Sequence, residues 1–197
     1  AKEIYRRVNE ELEKGSLPEE VKKDRTEQLR GFSDKIELRD VGIALRGRQI
    51  LKDVTLCFEK GKKYLLTGES GCGKSTLLKM ILDYYPAYDG KLLVDGHDLS
   101  RVQMESWYPS VAVVSQSDFL FHDTLRNNLC LFRDVPEEKL EQVLELCCLK
   151  NFVAEHENGL EFMIEENGKN ISGGERQRIC LARALLKEAP VLILDEA

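Results

Sequence analysis

Two stretches of the sequence carry residues whose types and spacing could do chemistry on a phosphate ester. The first is "GESGCGKST", residues 68–76, which fits the pattern G-x-x-x-x-G-K-S/T and lies between an apolar stretch and a helical one. Its three glycines would let the backbone turn N–H groups around phosphate oxygens at the start of a helix. Lys74 would reach the β- and γ-phosphates of a nucleotide, and the Ser75 hydroxyl would bind Mg²⁺. The stretch therefore predicts a nucleotide phosphate-binding loop.

The second stretch is "VLILDEA", residues 191–197, in which four aliphatic residues precede Asp195 and Glu196. Taken alone, it is typical of a buried strand that leaves the core. With a phosphate loop upstream, it predicts the metal and water side of the same site, because the carboxyl ends of parallel strands share one edge of an α/β sheet. Asp195 would hold Mg²⁺ through water, and Glu196 would act as a base or orient the attacking water.

The composition favours one soluble domain. A chain of 197 residues with 42% hydrophobic content can form one α/β domain with a full core. The formal net charge of -6 provides no overall positive field, so we expect no nucleic-acid partner. No apolar run approaches the roughly 20 residues of a membrane span, and no leader is visible. Six cysteines without metal-ligand spacing indicate reduced thiols in a cytosol.

The elements that must position these residues follow from periodicity. Residues 1 to about 30 are charge-rich and predict a helix and linker with too little apolar surface for a core. Strands are predicted in "KIELRDVGIAL", "ILKDVTLCFEKG", "KKYLLTG", "SVAVVSQ" and "VLILDE", and a hairpin in "YDGKLLVDGHDLS". Helices are predicted in "STLLKMILDYY", in "PEEKLEQVLELCCLKNFV" with Pro136 at its first position, and in "SGGERQRICLARALLKEAP". Ser172 and Glu175 have the spacing of a capping box at the start of the last helix.

With these motifs in place, the chain from about Lys35 to Ala197 resembles the nucleotide-binding domain of an ABC transporter. "VVSQSDFLFHDTLRNNL" resembles the Q-loop region of that family, and "ISGGERQR" resembles its signature. The resemblance implies an α/β P-loop NTPase fold with a mainly parallel central sheet, a small antiparallel β subdomain and a helical subdomain. That helical subdomain would cover about residues 117–180 and carry the signature, within an ATP-binding domain over residues 31–197 that lacks its C-terminal part.

The resemblance also implies ATP and Mg²⁺ as ligands and assigns roles to individual residues. The implied catalytic residues are Glu196, Lys74 and Gln116, and the implied metal ligands are Ser75, Gln116 and Asp195. The implied ATP-binding residues are Gly68, Glu69, Ser70, Gly71, Cys72, Gly73, Lys74, Ser75, Thr76 and, for the base, Leu45. The signature residues implied to act on the ATP of a partner chain are Ser172, Gly173, Gly174 and Glu175.

Two segments narrow the resemblance to exporters. "FLFHDTLRNNL" and "EENGKNISGGE" are similar to exporter-type domains, and residues 1–30 are similar to the extension that follows a last transmembrane helix. The implied partners are a second nucleotide-binding domain, packed head to tail, and a transmembrane domain, which would place the chain at the cytoplasmic face of the cell membrane. Two alternatives stay open: a soluble ABC-type ATPase of DNA repair or translation, and a nucleotide-sensing module without turnover.

The sequence departs from the family pattern at several positions. Leu45 replaces the aromatic residue that usually stacks on adenine, and Asn167 stands where exporters often have Arg. Glu175 replaces the usual Gln of the signature, where it could either disturb a phosphate site or cap its own helix. Cys72 could be an oxidisable thiol or simply a tolerated small residue. No histidine follows the terminal strand, so we expect this chain to bind ATP but to hydrolyse it slowly or not at all.

Overall fold

The structure is a computed structural model that describes residues 25–85, 87–115 and 119–195. Most of the predicted N-terminal helix and linker, residues 1–24, lies outside the described residues. The described chain divides into two compact units. The first unit holds residues 25–28, 35–58 and 65–103, and the second holds residues 29–34, 59–64 and 104–195.

The first unit is built on a four-stranded sheet with the strand order β2-β1-β3-β4. Its elements are β1 Lys35–Leu45, β2 Arg48–Glu59, β3 Asp89–Val94, β4 His97–Asp98 and the helix α1 Lys74–Ile81. In the antiparallel β1–β3 pair, Leu38 lies opposite Leu92 and both are fully buried, whereas the neighbouring Arg39 is exposed. This alternation of buried and exposed residues is typical of a sheet that packs one face on a core. It confirms the predicted strand over residues 35–45.

The predicted hairpin is also confirmed. The antiparallel strands β3 and β4 are joined by Asp95 and Gly96, which both have positive φ angles, 50° and 84°. Two consecutive positive φ angles are what a type I′ hairpin turn requires, and Asp-Gly is a preferred sequence for it.

The second unit combines a parallel strand pair with packed helices. Its strands are β5 Val111–Val114, β6 Asp123–Thr124, β7 Met163–Ile164 and β8 Val191–Leu194. Its helices are α2 Met104–Trp107, α3 Leu125–Cys130, α4 Glu137–Leu146, α5 Lys150–Glu155 and α6 Gly173–Leu185. The apolar faces of α3 to α6 form one core with β5, in which Leu129, Leu140 and Ile179 are fully buried.

Strand β8 confirms the predicted strand in "VLILDE" but not its predicted burial, because only Ile193 is buried while Leu192 and Leu194 are exposed. It pairs in parallel with β5, from Val111 opposite Val191 to Val114 opposite Leu194. The Asp195 N–H donates to the Val114 carbonyl oxygen at 2.9 Å, so the ladder continues one residue beyond the strand. The predicted parallel arrangement is therefore present, with two strands among the described residues.

One predicted strand is wrong. Residues 62–68, "KKYLLTG", form no strand, and the Leu65 side chain is 86% exposed. A strand exists only when its backbone groups pair with a neighbouring strand. The short apolar run indicated a tendency toward burial, but it could not supply a pairing partner, and none of the described strands pairs with these residues.

One predicted helix is divided. The pattern over residues 136–153 folds as α4 and α5, and Pro136 is the N-cap of α4 rather than its first helical residue. Cys148 adopts a left-handed conformation with φ of 53°, which ends the first helix. The break lets Leu149 become fully buried, so packing decided against a single continuous helix.

No helix among the described residues is long and apolar enough to span a membrane. All six cysteines lie in the described residues as free cysteines, and their reduced state in a cytosol stays a prediction.

Candidate functional site

The predicted phosphate loop ends at a helix N-terminus whose backbone conformation favours glycine. Gly73 is the N-cap of α1 with φ of 101°, a left-handed conformation. A Cβ atom at this position would lie 2.6 Å from Leu51 Cδ2, closer than atoms in contact can approach. Gly73 cannot cap the helix with a side chain, and the first turn of α1 contains no acidic residue. Such a helix start offers its partial positive charge to an anion from outside the helix.

Lys74 folds back over the loop that precedes it. Its ammonium group donates hydrogen bonds to the carbonyl oxygens of Gly68 at 2.8 Å and Glu69 at 2.9 Å. The Cys72 sulfur lies 3.7 Å from the same nitrogen. The loop therefore wraps around the side chain of Lys74, and the positive charge of its ammonium group lies beside the glycine-rich turn.

This loop borders a concave surface in the first unit. The residues that line it are Leu51, Leu65, Leu66, Thr67, Cys72, Gly73, Lys74 and Leu77. The surface thus brings the lysine and the helix N-cap together beside an apolar wall. Of the remaining residues predicted to bind ATP, Glu69, Ser70 and Gly71 are exposed in the loop.

Three further predicted ATP ligands lie in the same unit. Ser75 and Thr76 are half-buried in the first turn of α1. Leu45 is half-buried at the end of β1. A contact between Leu45 and an adenine base stays a prediction.

The predicted signature begins the longest helix of the second unit. Ser172 is the N-cap of α6, and its hydroxyl accepts a hydrogen bond from the Glu175 N–H at 3.3 Å. The Glu175 carboxylate accepts one from the Ser172 N–H at 2.7 Å, which completes a capping box. Gly173 and Gly174 are exposed as the first two helical residues.

The environment of Glu175 decides between its two predicted roles. The hydrogen bond from the Ser172 backbone is the main cause that lowers the pKa of the Glu175 carboxyl, and the Ser172 side chain and the charge of Arg178 lower it further. A carboxylate held in this way stays ionised and is turned toward its own helix. The predicted helix cap is therefore confirmed.

The two predicted terminal carboxylates, Asp195 as a metal ligand and Glu196 as the base, are only partly described by the structure. Asp195 lies at the carboxyl end of β8, where its backbone extends the parallel ladder and the residue is half-buried. Glu196 and Gln116, the predicted base and the predicted Q-loop residue, lie outside the described residues.

The donor chemistry of the predicted metal ligands fits Mg²⁺. Ser75 and Asp195 offer a hydroxyl and a carboxylate oxygen, the hard ligands that Mg²⁺ takes. Among the described residues, no cluster of three or more His, Cys, Asp or Glu side chains could hold a metal ion.

Two polar residues of the second unit escaped prediction. Arg183 on α6 donates to the carbonyl oxygens of Asn128 and Phe119, both at 2.8 Å, and Asn128 is fully buried. The sequence feature that could have identified Arg183 is a basic residue inside the apolar run "ICLARALL". An arginine is rarely buried against a core unless a partner accepts its hydrogen bonds.

Comparison with known proteins agrees with the motifs. A sequence profile of the family described as ABC transporter matches residues 51–197. The chain is 41% identical over 167 residues to an ATP-dependent lipid A-core flippase of Pectobacterium atrosepticum, a match that covers 83% of this chain. The flippases of Salmonella typhimurium and Escherichia coli are also 41% identical, over 166 residues and 82% of this chain.

A solved structure gives the same result. A bacterial Atm1-family ABC exporter with ATP bound is similar with a TM-score of 0.81 and 29% sequence identity over 86% of this chain. The chain spans 28% to 29% of the length of the three flippases and 30% of the solved exporter chain.

Proposed function

The chain belongs to the ABC transporter family, and we propose that it is the ATP-binding and ATP-hydrolysing part of an exporter. The phosphate loop is the observation that carries this proposal. Gly73 leaves the α1 N-terminus without a side-chain cap, and Lys74 stands at the mouth of the loop. The similarity to lipid A-core flippases and to an Atm1-family exporter supports the export role.

Phosphate binding would exploit the contacts of Lys74. Its ammonium group now bonds two neutral carbonyl oxygens, those of Gly68 and Glu69. The β- and γ-phosphate oxygens of ATP are charged acceptors, which form hydrogen bonds about twice as strong. Lys74 would therefore exchange its carbonyl partners for phosphate oxygens, while the N–H groups of the loop and of the α1 N-terminus bind the remaining charge.

Three oxygen-bearing side chains are proposed to hold Mg²⁺: Ser75, Gln116 and Asp195. Mg²⁺, when bound, offsets the negative charge of the β- and γ-phosphate oxygens. The role of Asp195 is supported by its position at the carboxyl end of a parallel strand, which is where ligands bind in α/β sheets.

Glu196 would orient the attacking water and accept its proton. It follows Asp195 directly in the sequence, so one strand end would supply both the metal-side and the water-side carboxylate. The proton would move from the water to a Glu196 oxygen as the water oxygen bonds the γ-phosphorus, while the bond from that phosphorus to the β–γ bridging oxygen breaks and ADP leaves with the electron pair.

The signature would act on the ATP of a second nucleotide-binding domain. Ser172, Gly173 and Gly174 are exposed at the N-terminus of α6, where their N–H and hydroxyl groups can approach a phosphate. ATP between two such chains would join them head to tail, and hydrolysis would release them. A transmembrane domain would use this movement, with the present chain on the cytoplasmic side of the membrane.

The proposal is tested by ATP-dependent association. The protein that carries this chain, purified with the Glu196→Gln change, should bring two nucleotide-binding domains together only when ATP and Mg²⁺ are present. The same protein with an added Lys74→Ala change is the control and should not associate. Domains that stay apart at saturating ATP, or that associate equally without it, would contradict the proposal.

A further inference from the structure

The segment Phe119–Leu120–Phe121 has a backbone that is bonded on three sides. The Phe119 carbonyl oxygen accepts from Arg183, and the Leu120 carbonyl oxygen accepts from the Asn167 N–H at 3.0 Å. Both backbone groups of Phe121 bond the Asn128 amide. We call this segment the 119–121 strut.

Asn128 fixes the strut with a fully used side chain. Its Oδ1 accepts from the Phe121 N–H at 2.9 Å and from Arg183 Nη2 at 3.2 Å. Its Nδ2 donates to three carbonyl oxygens, those of Phe121, Asp123 and Thr124, at 3.0 to 3.3 Å. Because Asn128 is fully buried, replacing its amide by an apolar group would leave the Phe121 N–H without the acceptor it has here.

Arg183 joins the strut to α6. Its Nε donates to the Asn128 carbonyl oxygen and its Nη1 to the Phe119 carbonyl oxygen. The guanidinium carbon also lies 6.0 Å from the centre of the Phe121 ring, at the outer range of a cation–π contact. The arginine is planar and presents its donors in fixed directions, so these bonds define one orientation of the strut.

The other side of the strut contacts the residues just before the signature. Besides its bond to Asn167, Leu120 is fully buried beside Gly168. A Cβ atom on Gly168 would lie 3.2 Å from Leu120 Cδ1 and 3.0 Å from Ile171 Cγ1. The turn that leads into Ser172 is therefore packed directly on the strut.

We propose that Arg183 and Asn128 are positioning residues that set the place of the signature through the 119–121 strut. The strut contacts the chain immediately before the signature and, through Arg183, a point three turns along α6, roughly 16 Å from Ser172 at 1.5 Å per residue. A movement of the strut therefore reaches the signature from both directions. The proposal rests on the proposed function, in which the signature acts on the ATP of a second nucleotide-binding domain.

Phe119 is the exposed residue of the strut, and it is the place where a partner would contact the strut. Phe119 is 42% exposed, and its ring makes an edge contact with Phe121 at 5.3 Å between centres. A partner that pressed on Phe119 would move a backbone that has no independent freedom. The strut would convert that displacement into a displacement of Ser172 and its neighbours.

The test compares three variants in the protein that carries this chain. Arg183→Gln removes the guanidinium, and Arg183→Lys keeps the charge without its fixed geometry. Lys187→Met is the matched control, because Lys187 lies just after α6 and, like Arg183, donates to two backbone carbonyl oxygens, here those of Tyr108 and Val111, away from the strut. Each variant is measured by hydrogen exchange at the signature and by ATP turnover.

We expect Arg183→Gln to raise amide exchange about tenfold at Phe121, Ile171 and Glu175. It should lower kcat about tenfold while the KM for ATP changes less than about twofold, since the phosphate loop is untouched. The amide exchange rates and the kcat of Arg183→Lys should lie between those of Arg183→Gln and those of the wild type. Lys187→Met should lower the melting temperature without changing exchange at the signature or kcat.

The proposal would be overturned if amide exchange at Ile171 and Glu175 in Arg183→Gln stayed at the wild-type rate. It would also be overturned if Lys187→Met changed amide exchange and kcat as much as Arg183→Gln does. If Arg183→Gln does not fold, the same comparison is made with Arg183→Lys, and wild-type exchange and kcat there would overturn it. A wild-type protein without ATP turnover would instead refute the proposed function, because the exchange measurement does not depend on ATP.

Discussion

Two helices of this chain begin at glycine-rich sequences, and their first turns are completed in opposite ways. Helix α1 starts from Gly73, which has no side chain and a left-handed conformation. Helix α6 starts from Ser172, whose hydroxyl and backbone form a reciprocal pair with Glu175. The first helix start has no carboxylate in its first turn, whereas the second carries one that is held within its own cap.

This difference shows how similar sequences can prepare different anion sites. An uncapped N-terminus with a lysine beside it is suited to bind phosphate within the same chain. A helix that caps itself needs no ligand to complete its first turn, and its exposed Gly173 and Gly174 are the residues proposed to contact the ATP of a second domain. Both starts use glycine, but only the first depends on glycine for its conformation.

The largest expected effect is on ATP turnover, from a change at the N-terminus of α1, where phosphate is proposed to bind. Lys74→Ala should reduce ATP turnover about 100-fold or more, because it removes the cation that would contact the β- and γ-phosphates. The melting temperature should change little, since the Lys74 ammonium group bonds only atoms of its own exposed loop. Lys79→Ala, at an exposed position on the same helix, is the control. Turnover that survives Lys74→Ala would remove the phosphate loop from the mechanism.

The second prediction concerns the conformational demand on the two glycine sequences. Gly73→Ala should destabilise the chain by about 1–3 kcal/mol, because a Cβ atom is strained at φ of 101° and meets Leu51. Gly174→Ala should be neutral or stabilising by up to about 1 kcal/mol, since its Cβ would meet only Arg178 Nη1 at 3.4 Å. Urea unfolding of both variants measures the difference, and equal costs would contradict the comparison.

A third prediction tests the self-made cap of α6. Ser172→Ala should lower the free energy of unfolding by about 1 kcal/mol, the usual value of an N-cap side chain. Ser172→Asp should recover most of it, because an aspartate can accept the same Glu175 N–H. Urea unfolding again provides the measurement, and a neutral Ser172→Ala would mean that the capping box adds nothing to stability.

The smallest effect is a pH dependence. The pKa of Glu175 is lower in the folded chain than its ordinary value, so its carboxylate stabilises the fold above that ordinary value. The contribution disappears as the pH falls through the lowered pKa. Because the carboxylate is solvent-screened, it should be less than about 1 kcal/mol. Glu175→Gln should therefore lower stability at pH 7 but not at strongly acidic pH, and an equal loss at both would contradict the charge-based cap.

The elements that could be predicted are those with local causes. The hairpin turn at Asp95 and Gly96 and the capping box of α6 each depend on residues within four positions of one another. The apolar patterns of β1 and β5 match their buried residues, whereas in β8 only Ile193 is buried. The predicted strand at residues 62–68 failed because pairing depends on a distant neighbour, and the division of α4 from α5 depended on the burial of Leu149.

The sequence by itself determined the chemistry of this protein: the phosphate loop, the signature and the terminal acids are contiguous motifs whose residue types state what they can bind. The tertiary structure decided how Glu175 is used and which residues support the signature. Arg183 lies 64 positions from Phe119 along the chain, and their hydrogen bond exists only because α6 packs on α3 and the strut. A contact over that distance has no local pattern, since folding rather than spacing brings its two ends together.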